Sequence, residues 1–155
     1  MRIIVLVSVL ALAACTPGAP PAGSGAGGNA GASLTIDVSL TGAVISATPY
    51  GASAGFTPVI ATIPVGSTVR FVNVDSFAHT ASAVGGATFP AVSPLGTNAL
   101  NPSQDRRLST GWSSGTLAAG ASSPVLTADV AGTYLYGCFF HYGAATPMRA
   151  AIVVQ

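Results

Sequence analysis

The stretch Tyr134-Leu-Tyr-Gly-Cys138-Phe-Phe-His141-Tyr-Gly-Ala-Ala-Thr-Pro-Met148 gathers a thiol, an imidazole and a thioether in one short span. Its first half alternates with period two, so Tyr134, Tyr136 and Cys138 share one face of a strand. Its second half is a loop with Gly143 and Pro147. Met148 then opens the apolar run Arg149-Ala-Ala-Ile-Val-Val154, a second strand. A loop between two strands can bring Cys, His and Met around one point. The remaining imidazole of the chain, His79, follows Asp75-Ser-Phe-Ala78 at the start of another strand, from which it can pin that loop to a sheet.

Working outward, Leu34 to Leu40 alternates as a half-buried strand should, and Ala43–Ala47, Thr57–Ile63, Thr68–Val74, His79–Val84 and Ser123–Asp129 read as further strands. Pro64-Val-Gly66 is a turn. The segment 85–122, with Pro90, Pro94 and Pro102, reads as a long excursion holding one short strand near Thr110 to Leu117. No amphipathic helix of ordinary length is present in the pattern. The expectation is an all-β domain of about seven to eight strands, a two-sheet sandwich or barrel. Trp112 and the two tyrosines are expected in the core, and Tyr134 as a Tyr corner bonding backbone near Asp129 to Gly132. Asn73 and Asp75 are expected to shape the turn before His79, and Thr80 is a candidate to orient a metal-binding ring.

Each donor has a blander reading alone. A lone Cys packs as a small hydrophobe, His141 suits a surface, His79 a strand, and Met148 a core. The coincidence is what carries weight. A thiolate and two imidazoles in a trigonal set with a weak axial thioether suit copper in both oxidation states. Zinc sites prefer Cys, His and carboxylate and seldom use Met, and no carboxylate lies in the loop.

Phe71-Val-Asn-Val-Asp-Ser-Phe-Ala-His79-Thr and Gly132-Thr-Tyr-Leu-Tyr-Gly-Cys138-Phe-Phe-His141 resemble the two ligand segments of the plastocyanin-like cupredoxins, and Met148-Arg-Ala-Ala-Ile-Val-Val resembles their closing strand. The resemblance spans Leu34 to Gln155. It implies a Greek-key β-sandwich, one type 1 copper cycling between Cu(I) and Cu(II), and one-electron transfer to a redox partner protein without substrate turnover. It makes His79, Cys138 and His141 the equatorial ligands and Met148 the axial one. The gap from His141 to Met148, filled by Tyr142 to Pro147, is longer than the family's usual spacing. By the same resemblance the ring edge of His141 reaches the surface. Phe139, Phe140, Tyr142, Ala144, Ala145 and Pro147 form an apolar shell and candidate docking patch around it, suited to brief encounters.

The N-terminus reads as an address. Met1-Arg2 and the apolar run from Ile3 to Ala14 suit a secretory signal, too short for a spanning helix. Leu12-Ala-Ala-Cys15 resembles the bacterial lipobox, which implies acylation of Cys15. Residues 15–32 are mostly Pro, Gly, Ala and Ser with no charge, a tether, and 33–155 is the domain. The expected product is exported, held at the cell envelope by lipid, and monomeric. With Cys15 acylated, Cys138 has no disulfide partner, and a solitary thiol in an oxidising compartment is a liability unless buried or bound.

Only 6% of the 155 residues are charged, none is Lys, and the net charge is +1. That field is too weak for nucleic acid, whose binding neutralises several phosphates, and it gives little steering of any partner. Arg106-Arg107 reads as a solvated loop. Two rivals to an electron carrier are a copper carrier or buffer and a metal-free structural lipoprotein. A copper oxidase or reductase would need further His-x-His pairs, and the chain has no spare His.

Overall fold

The computed structural model describes residues 31–155. The expected signal, the expected lipobox with Cys15 and the expected tether up to residue 30 lie outside the described residues. Gly31 and Ala32, expected in the tether, already pack on the domain. Ala32 O accepts from Thr68 N at 2.9 Å, and a Cβ at Gly31 would meet Gly66 O at 2.0 Å.

Ten strands form among the described residues: β1 (Ser33–Val38), β2 (Ser46–Thr48), β3 (Gly51–Ser53), β4 (Phe56–Thr57), β5 (Ile60–Ile63), β6 (Thr68–Asn73), β7 (Ser82–Val84), β8 (Leu126–Thr127), β9 (Gly132–Gly137) and β10 (Arg149–Val154). They make two four-stranded sheets, β4-β1-β6-β8 and β5-β10-β9-β7, plus the ribbon β2-β3. The chain passes repeatedly from one sheet to the other, which leaves two parallel pairs, β1 with β6 and β10 with β5, among antiparallel neighbours. This is the all-β Greek-key sandwich anticipated from the sequence, with seven of the eight expected runs supplying the strands of the two sheets and Ala43–Ala47 supplying a strand of the ribbon instead.

Alternation explains the layers. Ile36 and Val38 of β1 and Val69 and Phe71 of β6 turn inward to meet Tyr136 of β9 and Ala150, Ile152 and Val154 of β10. At its centre Phe71 stacks on Trp112 with centroids 5.2 Å apart, and Tyr136 stands edge-on to Phe71 at 5.2 Å and to Phe56 at 4.8 Å. Each such pair adds about 0.5–1.5 kcal/mol beyond area burial. β10 is buried on both faces because Ala151 and Leu135 pack outward on Val84, Tyr142, Tyr50, Phe89 and Leu95. The long excursion thus closes the outer face of the second sheet.

Five strand expectations differ in detail: Ala43–Ala47 moves to Ser46–Thr48 and His79–Val84 shortens to Ser82–Val84. Thr57–Ile63 is two strands, because Pro58 has no N–H for a ladder and the chain changes sheet there. Ser123–Asp129 shrinks to Leu126–Thr127. Thr110–Leu117 is not a strand. It follows a 3-10 turn at Leu108–Thr110 and runs beside 79–83 through single bridges, His79 with Leu117 and Ser82 with Ser113.

Candidate metal centre

Register decides where the donors meet. β9 and β10 pair antiparallel with Tyr136 opposite Ala150, both facing the core. Continuing two residues along each strand sets Cys138 opposite Met148 on that same inner face. Cys138 N donates to Met148 O at 2.9 Å. The intervening loop closes on itself: Met148 N donates to His141 O at 3.0 Å and Thr146 N to Gly143 O at 3.1 Å. Ala144 and Ala145 bulge to solvent, so the long gap is absorbed as an outward turn. Met148 is fully buried, and it lies against Gly55, where a Cβ would come within 2.7 Å of its Cγ. Gly55, at φ +76, therefore gives Met148 its space.

His79 arrives from the connection between β6 and β7. Its backbone exchanges hydrogen bonds with Leu117 at 3.1 and 2.8 Å, which fixes it against the excursion. Its Nδ1 lies 3.8 Å from Cys138 Sγ, and His141 Nδ1 lies 3.6 Å from the same sulfur. One donor atom from each of the three residues lies within 4.8 Å of the others. His79 and Cys138 are buried and His141 is half-buried.

The surroundings favour the neutral forms of Cys138 and His141. Burial pushes the Cys138 thiol above its ordinary value, against the pull of hydrogen bonds such as that from Thr80 N to Sγ at 3.3 Å. Burial, with His79 alongside, lowers the His141 imidazole below its usual range, and Asp75 acts the other way. Neutral imidazoles keep lone pairs for a metal, and a bound cation deprotonates a coordinating thiol outright.

Around the donors stands a layer that the sequence reading assigned differently. Asp75, expected only to shape a turn, has its Oδ2 2.9 Å from His79 Nε2. Thr80, the candidate to orient the ring, acts on the cysteine instead: besides its N–H on Sγ, its hydroxyl accepts from Phe139 N at 2.8 Å. Asn73 does hold the turn. Its Nδ2 donates to Phe77 O, Leu117 O and Ala118 O, and its Oδ1 accepts from Asp75 N at 2.9 Å. The carboxylate four residues before His79 was visible in the sequence, but its aim depends on this turn.

The anticipated apolar patch divides. Phe140 is 45% exposed, Phe139 half-buried, and Ala144 and Ala145 exposed. Tyr142 and Pro147 are buried and cannot belong to a docking surface. Tyr142 folds over Gly137, where a Cβ would meet its ring at 2.7 Å, and carries Arg149 over its face at 5.0 Å. Phe77, not singled out beforehand, takes their place: it is 41% exposed, with its ring 4.8 Å from His79 and 5.7 Å from His141.

Donors about 2.0–2.3 Å from one cation in a trigonal plane stand about 3.5–4 Å apart. The two sulfur-to-nitrogen separations of 3.6 and 3.8 Å fit such a set, and all three donor atoms lie within 4.8 Å of one another. The donor chemistry fits copper: thiolate and thioether favour Cu(I), and imidazole also suits Cu(II).

No family model matches the chain, and no curated protein matches it. Among solved structures, it is similar to a purple cupredoxin from Nitrosopumilus maritimus, at 21% identity, covering 78% of this chain and 98% of that one, with a TM-score of 0.47. It is also similar to a reduced variant of amicyanin, at 16% identity, covering 79% of this chain and 82% of that one, TM-score 0.46. A Cu(I) form of another amicyanin variant has 18% identity over the same shares, TM-score 0.45.

Proposed function

We propose that this chain is a one-electron carrier that holds a single copper ion through His79, Cys138 and His141, with Met148 as the weak fourth donor. The observation that carries this reading is the convergence of the thiol and both imidazoles within 4.8 Å of one another at one end of the sandwich. Copper bound there would supply the Cu(I)/Cu(II) couple. The chain's own residues supply the rest. Cys138 and His79 are held by backbone on two different connections, so the donor spacing is set by the fold. Met148 is clamped to Cys138 and His141 through its own backbone. Phe77 and Phe140 flank His141, with centroids 5.7 and 6.2 Å away, limiting water while leaving its half-buried ring as the route to a partner.

The redox partner protein would meet the exposed apolar end formed by Phe77, Phe140, Ala144 and Ala145. Export and a lipid on Cys15 would confine that meeting to the cell envelope. The deciding experiment is visible absorption and voltammetry of the soluble domain, residues 31–155, after copper loading. An intense thiolate-to-copper band with a reversible one-electron wave is expected. A colourless protein with one copper, or a copper lost to a weak chelator, would overturn the carrier reading in favour of a buffer. Cys138→Ser should abolish the band and leave the fold intact, and a coloured Cys138→Ser protein would refute the ligand set.

A further inference from the structure

The imidazole of His79 has two environments. Nδ1 faces Cys138, and Nε2 lies 2.9 Å from Asp75 Oδ2, with both side chains buried. An ionised carboxylate only accepts hydrogen bonds, so the ring's one proton belongs on Nε2 and the Nδ1 lone pair is left toward the sulfur.

Asp75 is itself held from far away in sequence. Its Oδ1 accepts from the hydroxyls of Ser39, at 3.0 Å, and Thr41. Its Oδ2 accepts from Leu40 N at 2.6 Å as well as from His79. All four lone-pair positions are thereby filled, three of them by the turn that follows β1. A residue that merely shapes the 73–79 turn needs none of these partners, since Asn73 already supplies that function. Burial opposes a charge on Asp75, but donors converging on both oxygens from Ser39, Leu40, Thr41 and His79 favour the ionised carboxylate. Among the described residues no arginine pairs with it. The site therefore carries a buried negative charge one imidazole away from the donors.

We propose that Asp75 is the positioning residue of the metal centre, fixing the tautomer and aim of His79 and biasing the bound copper toward its oxidised state. The inference rests on the copper reading above. The direction follows from charge: an anion behind a ligand favours Cu(II) over Cu(I) and makes the imidazole a stronger donor. Replacing such a partner changes metal affinity by about 10–100-fold.

Voltammetry of the copper-loaded wild type, Asp75→Asn and Asp75→Glu tests this. Asp75→Asn keeps the size and a carbonyl acceptor but removes the charge. It should shift the Cu(II)-to-Cu(I) affinity ratio toward Cu(I) by about tenfold or more, a rise of about 59 mV for a one-electron couple. Asp75→Glu should return the potential toward the wild-type value. A ratio unchanged in Asp75→Asn overturns the inference. Nitrogen-15 NMR of the wild-type Cu(I) protein decides independently of how the variants fold. A slowly exchanging proton on His79 Nε2 is expected, and a proton on Nδ1, or one exchanging as fast as that of His141, overturns it. A wild type without the intense thiolate-to-copper band overturns the copper reading itself, whereas a normal wild-type band with an unmoved potential overturns only the role of Asp75.

Discussion

Gly55 shows how a residue without a side chain can set the place of Met148, the proposed fourth donor. An added Cβ would stand 2.7 Å from Met148 Cγ and 3.1 Å from Leu40 Cδ2, at a backbone φ of +76 that L side chains rarely adopt. Gly55→Ala should therefore push Met148 aside and cost about 1–3 kcal/mol of stability. The expected signature is a changed ratio of the visible copper bands together with a lower urea midpoint, and an unchanged spectrum would show that Met148 has room to spare. At this scale the convergence of His79, Cys138 and His141 was legible, because soft side chains are rare in this chain and their chemistry does not depend on context. Asp75 and Thr80 were not. Both are small polar residues beside His79, and which of them reaches the ring depends on Asn73 folding the turn and on Ser39 to Thr41 arriving from β1. Nothing in local sequence encodes a partner more than thirty positions away.

The corner that starts β9 is an element-scale device. Tyr134 OH donates to Val130 O at 2.8 Å, as the Tyr corner expectation required. Burial, aided by the nearby charge of Asp129, raises the phenol above its ordinary value. The unfolded chain loses that proton near pH 10, while the folded chain keeps it. The stability contributed by the corner is thus fully present below pH 10 and is lost as pH rises through the higher folded value. Tyr134→Phe should cost about 0.5–1 kcal/mol at pH 8, and the gap between wild type and variant should narrow at pH 11. Urea midpoints at the two pH values measure this, and a gap that widens with pH would reject the assignment. Strand existence was legible wherever alternation or an unbroken apolar run extended over about six residues, as in β1, β6, β9 and β10. It failed where pairing is contributed by something other than pattern. Gly51–Ser53 is a strand only because β2 lies beside it, and Trp112 to Leu117 follows β7 through isolated bridges without a ladder of its own.

The molecule as a whole is nearly without a field. Arg2 apart, four arginines balance four aspartates, and of these Asp75 and Arg149 are buried. The exposed end beside His141 bears Phe77, Phe140, Ala144 and Ala145, none of them charged. Two copies of a copper-loaded domain can therefore approach end to end with no like-charge repulsion, and what brings them together is apolar contact. Electron self-exchange between the Cu(I) and Cu(II) forms should change less than about threefold between low and physiological ionic strength, because there is little for salt to screen. Phe140→Glu places one negative charge on that end of each copy. The side chain is already 45% exposed, so stability should move by no more than about 0.5 kcal/mol. Self-exchange in the variant should be slower at low salt and recover as salt is added. NMR line broadening in mixtures of the two oxidation states reads both rates. A wild-type rate that varies steeply with salt, or a Phe140→Glu rate equal to wild type at low salt, would place the electron's exit elsewhere on the sandwich.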